Sequence, residues 1–320
     1  GASRAKSEAS TKNVIVFLSR RLLETFLALL LTSVVVFSLI HLIPGDPALL
    51  VAGLEAGPEV VEKIRRDLGL DRPLPIQYGS FLLKALQGDL GISIRTGLPV
   101  LREILDRFPY TLGIALGGIL LATSMGVTTG ILAAMRQNCA GDALIMVASL
   151  LAVSTPSYWL GLMMMLLFSL SLGWLPSIGI ATPAHFVLPI LTLGAQSGGV
   201  ISRMTRSAML DVVGQDFVRA ARARGEKERV VILRHALANA LIPILSIVGL
   251  RFGNLLAGTV LVESVFAIPG VGRLLVDAVL WRDYPMIQGT MLFVASVFIA
   301  VNTVTDVLYA VVDPRIRVVA

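Results

Sequence analysis

Runs of about twenty apolar residues alternate along this chain with shorter polar stretches. A helix of that length crosses the roughly 30 Å of hydrocarbon in a bilayer, whereas a transmembrane barrel shows short segments of alternating polarity. The first apolar run follows Arg20 and Arg21 and ends where Pro44 and Gly45 interrupt it. The pattern predicts a bundle of transmembrane helices.

Six such runs predict an all-α integral membrane protein with six transmembrane helices. Pro156 lies inside the third run and predicts a kink in that helix. Glycines recur in the second run, so its helix is expected to pack closely against neighbours within the bundle. The runs cover residues 20–43, 111–134, 143–172, 186–202, 241–262 and 286–312.

The stretch between the first two runs, residues 44–107, is mixed in composition and nearly balanced in charge. We expect it to form an extracytoplasmic subdomain with amphipathic helices over 58–70 and 76–91. A further short surface or re-entrant helix is predicted within 263–285. Two cytoplasmic tails are predicted at 1–19 and 314–320, and the first helix at 20–43. The remaining five helices form a core at 108–313, and this core includes a cytoplasmic loop at 206–237.

Composition agrees with a bilayer environment. Hydrophobic residues make up 55% of the chain and charged residues 15%, with a mean hydropathy of +0.82, whereas about a quarter of a soluble domain is charged. The net charge is +6, and eight basic residues lie between Arg203 and Arg234. Because basic residues between apolar runs set membrane orientation, they predict that this segment and both termini are cytoplasmic, and they do not indicate nucleic-acid binding.

Common catalytic signatures are absent from the sequence. It contains no Gly-Lys pair, which the phosphate-cradling loop of an ATPase requires, and neither G-x-S-x-G nor H-E-x-x-H. Of its three histidines, His41 and His235 are predicted on opposite sides of the membrane. A single cysteine, Cys139, excludes an intrachain disulfide. We therefore predict no catalytic or metal-ligating residues and disfavour an intramembrane hydrolase.

The polar loop between the fourth and fifth runs contains the sequence DFVRAARARGEKERVVILRHALANALIP. It predicts two short helices that are separated at Gly225, with a basic exposed face beside small alanines. Such an element can dock into a groove on a cytoplasmic partner. A solvated loop that only sets topology is the alternative, but the length of the segment and its central glycine favour docking.

Ala220, Ala221 and Gly225 resemble the coupling loop of permease subunits of binding-protein-dependent ABC importers. That loop begins with Glu-Ala-Ala and has a glycine four residues after the second alanine; Arg219 replaces the glutamate here. Residues 234–243 resemble the version in the dipeptide, oligopeptide and nickel branch, where this replacement and a longer spacing are common. Other motifs of that branch occur in order at 41–47, 68–78, 88–93, 269–279, 282–289 and 313–317.

The resemblance implies one half-channel of a type I importer in the bacterial inner membrane, working by alternating access. Its implied partners are a homologous second permease, two ATP-binding subunits, an extracytoplasmic substrate-binding protein and membrane lipid. This chain would bind no cofactor, because ATP and Mg would be held by the partner subunits. The residues implied to couple transport to the ATPase lie in the loop 206–237, hereafter the coupling segment; they are Asp216, Arg219, Ala220, Ala221, Arg222 and Gly225.

The cargo stays open at this stage. Di- and oligopeptides are the first expectation, and glutathione or chelated nickel are alternatives handled by similar permeases. A different class, a stand-alone ion-coupled secondary transporter, could use intramembrane polar residues such as Arg251 and Asn302 as an ion path. Such a protein would not need a docking segment.

Arg251 lies within the fifth apolar run, where a lone buried charge costs several kcal/mol unless it meets water or a partner. We expect Arg251 and Asn254 to face the translocation path, where the guanidinium could meet an anionic group such as a peptide carboxylate. A structural pair between Arg251 and an acidic residue or a carbonyl is the alternative.

Overall fold

A computed structural model describes residues 19–38, 48–49, 57–67 and 69–312 of the chain. Nearly all of the two predicted tails lies outside these residues, as do the motifs at 41–47 and 313–317. Within the described part the chain is helical, and the only β pairing there is an isolated bridge between Ile92 and Pro99.

The described helices confirm the predicted all-α membrane fold. Five of them are long and apolar enough to cross a bilayer, namely α1, α4, α7, α9 and α11; the bent pair α5 and α6 makes a sixth crossing if its two helices together form one span. In chain order the helices are α1 (Ser19–Ser38), α2 (Pro58–Asp67), α3 (Leu74–Leu86), α4 (Val100–Met135), α5 (Ala140–Ser154), α6 (Ser157–Ser171, π-helical from Met165), α7 (Val187–Val213), α8 (Asp216–Ala223), α9 (Glu228–Val265), α10 (Val271–Leu280) and α11 (Tyr284–Val312).

The two amphipathic helices and the short surface helix predicted outside the apolar runs are present as α2, α3 and α10. Three long helices extend well beyond their apolar runs: α4 begins at Val100, α7 continues to Val213 and α9 begins at Glu228. Hydropathy detects only the apolar part of each helix, while the extensions are stabilised by packing. The second helix predicted in the coupling segment is therefore the start of α9.

The predicted kink at Pro156 is a full break. The axes of α5 and α6 are bent by 107°. Thr155 and Pro156 are both extended, with ψ values of 126° and 136°. Proline disfavours helical geometry in the residue before it and has no N–H to donate to the preceding turn. Two consecutive extended residues turn the chain instead of bending one helix.

Helices α4 and α7 form the close-packed centre of the bundle. A Cβ built on Gly130 would lie 2.5 Å from the carbonyl oxygen of Ser202, and one on Gly126 would lie 2.8 Å from that of Gly198. The helices therefore approach to a distance that only glycine permits at these positions. Their apolar core is shared with α9 and includes Ile114, Ile119, Leu188, Leu193, Ile201, Leu255, Val262 and Phe266.

Polar contacts attach α1 to the rest of the bundle. Arg21 pairs with Asp306 of α11, and the hydroxyls of Thr25 and Thr303 lie 2.8 Å apart one turn further along. Towards the other end of α1, the Ser33 hydroxyl is 2.8 Å from the hydroxyl of Tyr78 on α3. Helix α1 thus contacts α11 near its beginning and α3 near its end.

Candidate functional site

Helix α8 lies across the ends of three long helices. Val218 and Ala221, one turn apart, are completely buried. They pack in an apolar cluster with Val212 of α7, Val231 of α9 and Ala134 of α4. Asp216 in the first turn and Arg222 in the last complement the helix dipole. The buried pair fixes the orientation of α8, so its opposite face is held outward.

Gly225 ends α8 in a left-handed conformation, with φ +77°. The Gly225 N–H donates to the carbonyl of Arg222 at 2.9 Å, and the Glu226 N–H donates to the carbonyl of Ala221 at 3.4 Å. These two bonds form a Schellman motif, in which a glycine in the left-handed conformation is strongly favoured. The spacing between the second alanine and the glycine is therefore the spacing of a helix C-terminal cap.

Ion pairs close the turn between α8 and α9. The Arg222 guanidinium donates to both carboxylate oxygens of Glu228, at 2.7 and 3.2 Å. Glu226 accepts from Arg224 at 2.7 Å, and its other oxygen lies 2.7 Å from His235 Nε2. The hydrogen bond to Glu228 raises the pKa of Arg222. Arg224, and secondarily His235, lower the pKa of Glu226 below its ordinary 4.5.

The predicted coupling residues do not share one environment. Asp216, Arg219 and Ala220 are exposed, whereas Ala221 is a buried packing residue. Arg222 is partly exposed but engaged with Glu228. An exposed aromatic side chain, Phe217, lies beside them and was not predicted. The outward face of α8 therefore combines charged and apolar groups, which is typical of a protein-docking surface.

Glu226, Glu228 and His235 are further residues that sequence reasoning missed. Their contacts, Arg222–Glu228 and Glu226–His235, join residues six and nine positions apart, so they do not follow the three- or four-residue spacing that marks ion pairs within one helix. The available signal was the alternation of acidic and basic residues around Gly225, which predicts no particular pairing. These contacts stabilise the turn that holds α8 against α9.

Acidification is expected to loosen this turn only below about pH 4.5. Because the pKa of Glu226 is lowered in the folded chain, its ion pairs are fully present above the ordinary value of 4.5 and are lost as pH falls through the lowered value. Hydrogen exchange at the Gly225 and Glu226 amides, corrected for intrinsic rates between about pH 7 and about pH 3, measures this loss. Glu226→Gln should exchange faster at neutral pH and show a smaller step, because the Arg222–Glu228 pair across the same turn is still lost on acidification. A step centred above about pH 5 would contradict the assignment.

Arg251 is half-buried on α9, and its buried Nε has no hydrogen-bond partner within the described residues. Gly253 faces α11, where a Cβ would come within 2.6 Å of Asn302 Oδ1. Two residues are about 200° apart around a helix, so Arg251 points away from α11. No described carboxylate forms an ion pair with Arg251, so the alternative of an acidic structural partner finds no support in this part of the chain. Asn254 is exposed.

The residues that the structure describes contain no group of three or more His, Cys, Asp or Glu that could hold a metal ion. Cys139 is exposed just before α5. The candidate binding surfaces are the outward face of α8 and the part of α9 around Arg251.

Comparison with known proteins finds two family models on this chain. The model described as binding-protein-dependent transport system inner membrane component matches residues 126–318. The model for the N-terminal part of such membrane components matches residues 14–115. Together they cover both the segment with α2 and α3 and the core that carries the coupling segment.

Relatives with similar sequences extend over nearly the whole chain. A glutathione transport system permease protein GsiC from Pectobacterium atrosepticum is 46% identical over 93% of this chain and 97% of its own. The protein of that name from Escherichia coli K12 is 44% identical over 94% and 98%. Among solved structures, an inward-facing conformation of the MetNI methionine ABC transporter matches with a TM-score of 0.56 at 18% identity, over 66% of this chain and 96% of the other. At that identity the similarity to MetNI concerns the fold alone.

Proposed function

This chain belongs to the family of binding-protein-dependent transport system inner membrane components and is a permease subunit of an ABC importer; on that premise we propose that its cargo is glutathione or a closely similar small anionic peptide. The support is the similarity to glutathione permeases over more than nine-tenths of both chains. Di- and oligopeptides, the first expectation from sequence, become the second choice, and chelated nickel becomes the third.

The proposed coupling to ATP hydrolysis depends on the outward face of α8. Its buried face, Val218 and Ala221, holds it on the bundle, and the Schellman turn at Gly225 joins it to α9. A force applied to α8 by an ATP-binding subunit would therefore act directly on α9. In this proposal Asp216, Arg219 and Ala220 contact the ATP-binding subunit, while Ala221 and Gly225 shape the helix that does so.

The remaining partners follow from the same proposal. Two ATP-binding subunits would hold ATP and Mg, and a homologous second permease would complete the channel within the lipid bilayer. An extracytoplasmic binding protein would contact residues 44–107 and 266–285. The chain is a multi-pass inner-membrane protein; the proposed orientation places both termini and the coupling segment in the cytoplasm.

Co-purification tests the importer assignment against a stand-alone secondary transporter. The full chain is tagged, extracted from native membranes in mild detergent, and its partners are identified by mass spectrometry. Recovery of a second permease and of ATPases with Gly-Lys-Ser/Thr loops is expected. Those partners are then reconstituted with their binding protein and tested for ATP-dependent uptake of glutathione, dipeptides and chelated nickel. Recovery of the chain alone, with ion-driven uptake in liposomes, would replace the importer by a secondary transporter.

Replacing Arg251 by glutamine is expected to raise the KM for glutathione uptake by roughly 10- to 100-fold, the loss of one hydrogen bond to a charged group. Glutathione carries two carboxylates, and the buried Nε of Arg251 lacks a partner in the described structure. Radiolabelled uptake into proteoliposomes measures the change. Arg251→Lys is the matched control, since it keeps the charge and should retain most of the activity. Wild-type uptake by Arg251→Gln would remove Arg251 from the path.

A further inference from the structure

A carboxylate is fully buried near the end of α9. Glu263 Oε1 accepts the Thr111 hydroxyl of α4 at 2.7 Å, and Oε2 accepts the Arg273 N–H of α10 at 3.0 Å. The Thr111 oxygen in turn accepts the Val271 N–H at 2.8 Å. Glu263 and Thr111 thus bind two of the first three N–H groups of α10, groups that have no partner within their own helix.

The backbone that leads into α10 is wrapped around this carboxylate. A Cβ built on Gly270 would lie 2.2 Å from the Glu263 carboxyl carbon. A Cβ on Gly272 would lie 2.6 Å from the Val260 backbone Cα and 3.0 Å from Glu263 Oε2. The two glycines of the Pro-Gly-Val-Gly motif are therefore required by the close approach of this turn to α9.

The acceptor oxygens of Glu263 have a structural function at this position. Burying a carboxylate in an apolar environment is costly unless fixed donors replace its lost water. Here the donors are a hydroxyl and a backbone N–H at a helix N-terminus, where a negative charge is also favoured by the helix dipole. The contacts that satisfy Glu263 belong to α4 and α10, so the carboxylate holds those helices to α9.

The other end of α10 is fixed to a different part of the chain. Asp283, which follows α10 and is nearly fully buried, accepts the Ser93 hydroxyl at 2.5 Å and the Ile94 and Arg95 N–H groups at 3.3 Å each. The Arg95 guanidinium also lies 4.4 Å from the centre of the Trp281 ring. Helix α10 therefore connects the end of α9 with the loop that follows α3.

Helix α9 joins this junction to the coupling segment. It begins at Glu228, three residues after Gly225, and its 38 residues include Glu263. Its early part, Val231–Ala236, is π-helical, and the α-helical part that follows, Leu237–Val265, is about 44 Å long at 1.5 Å per residue. We propose that Glu263, with Thr111, is a positioning residue for transport: it makes α10 move with α9, so that displacement of the coupling segment reaches α10 and the 93–96 loop. This inference rests on the proposed importer function.

The test uses the complete reconstituted importer. Glu263→Gln keeps the shape of the side chain but replaces one of its two acceptor oxygens by an amide donor, so the bonds from the Thr111 hydroxyl and from the Arg273 N–H can no longer both be kept as they are. Thr111→Val removes the hydroxyl, and Thr111→Ser keeps it. We expect Glu263→Gln and Thr111→Val to lower uptake by at least about tenfold while the complex still assembles and hydrolyses ATP, and Thr111→Ser to stay close to wild type.

A second measurement separates positioning from a purely structural role. Cys139, the only cysteine, is replaced by serine, and the exposed Leu280 on α10 is replaced by cysteine. The rate at which an impermeant maleimide modifies the new cysteine at position 280 should change when ATP and vanadate trap the ATPases. Glu263→Gln should abolish that change.

Normal uptake, or a preserved nucleotide-dependent change in labelling, in Glu263→Gln would overturn the proposal. If the Glu263→Gln complex fails to assemble, the Thr111→Val variant tests the proposal instead. Wild-type uptake by Thr111→Val overturns the proposal, and lost uptake with intact assembly supports it. Failure of the parent complex to transport at all would instead contradict the importer assignment.

Discussion

Replacing Gly130 by leucine is expected to prevent the transmembrane bundle from folding. A Cβ at this position would lie 2.5 Å from the Ser202 carbonyl oxygen and 2.6 Å from Thr205 Cβ, so α4 and α7 would have to separate. Inserting side-chain atoms into a packed interior typically costs about 1 to 3 kcal/mol, and more where the obstacle is backbone. That is a large share of the roughly 5 to 15 kcal/mol by which proteins are stable.

Gly113→Leu is the matched control on the same helix. No atom lies within 4 Å of a Cβ at Gly113, which is exposed, so leucine there should be tolerated. The measurement is the fraction of monodisperse protein after detergent extraction and gel filtration, which should fall sharply for Gly130→Leu and remain unchanged for Gly113→Leu. Equal recovery of the two variants would show that the close approach at Gly130 does not exist.

The apolar membrane helices could be predicted from sequence because the signals are local. Each span is a continuous apolar run, and the Schellman turn is encoded within the few residues from Ala221 to Gly225. The helix ends were predicted less well. The start of α9 at Glu228 is polar on one face and is helical because Val231 and Ala236 pack against α8 and its neighbours. The hydropathy of this segment alone does not indicate that α8 packs against it.

The pairings between distant residues could not be predicted. Thr111 and Glu263 are 152 positions apart, and Ser93 and Asp283 are 190 positions apart. One sequence without covariation does not indicate which buried polar groups meet. Glu263 stands at the edge of an apolar run, where the sequence predicted only that the chain leaves the membrane. Glu263 is buried because α10 folds back onto α9 and covers its carboxylate.

The predicted site residues divide in the same way. The spacing of Ala221 and Gly225 identified a motif, but the motif does not state that Ala221 is buried while Ala220 is exposed. That difference follows from how α8 packs on the three helices beneath it. For Arg251, the sequence predicted a place on the translocation path, with a structural pair as the alternative, and the Nε of Arg251 has no hydrogen-bond partner among the described residues.

Replacing Gly225 by glutamate is expected to uncouple ATP hydrolysis from uptake without preventing membrane insertion. The left-handed conformation at Gly225, φ +77°, costs a residue with a side chain about 1 to 2 kcal/mol, which lowers the ratio of formed to open turn by roughly 5- to 30-fold. A Cβ at this position meets nothing within 4 Å, so the packing of the bundle is unaffected. Helix α8 would then stay bound to the ATP-binding subunits but would no longer move α9 with it.

Gly225→Asn is the control, because asparagine adopts the left-handed conformation more readily than other residues with a side chain. ATPase activity and uptake are measured on the same proteoliposomes. The glutamate variant should keep its ATPase activity while uptake falls by up to roughly 30-fold, and the asparagine variant should lose much less. If both variants lose uptake equally, the absence of a side chain at Gly225 matters for contact with the ATP-binding subunit rather than for the turn. If neither loses it, the connection through Gly225 does not transmit the motion of α8, and the force must enter α9 through the buried contacts of Val218 and Ala221 instead.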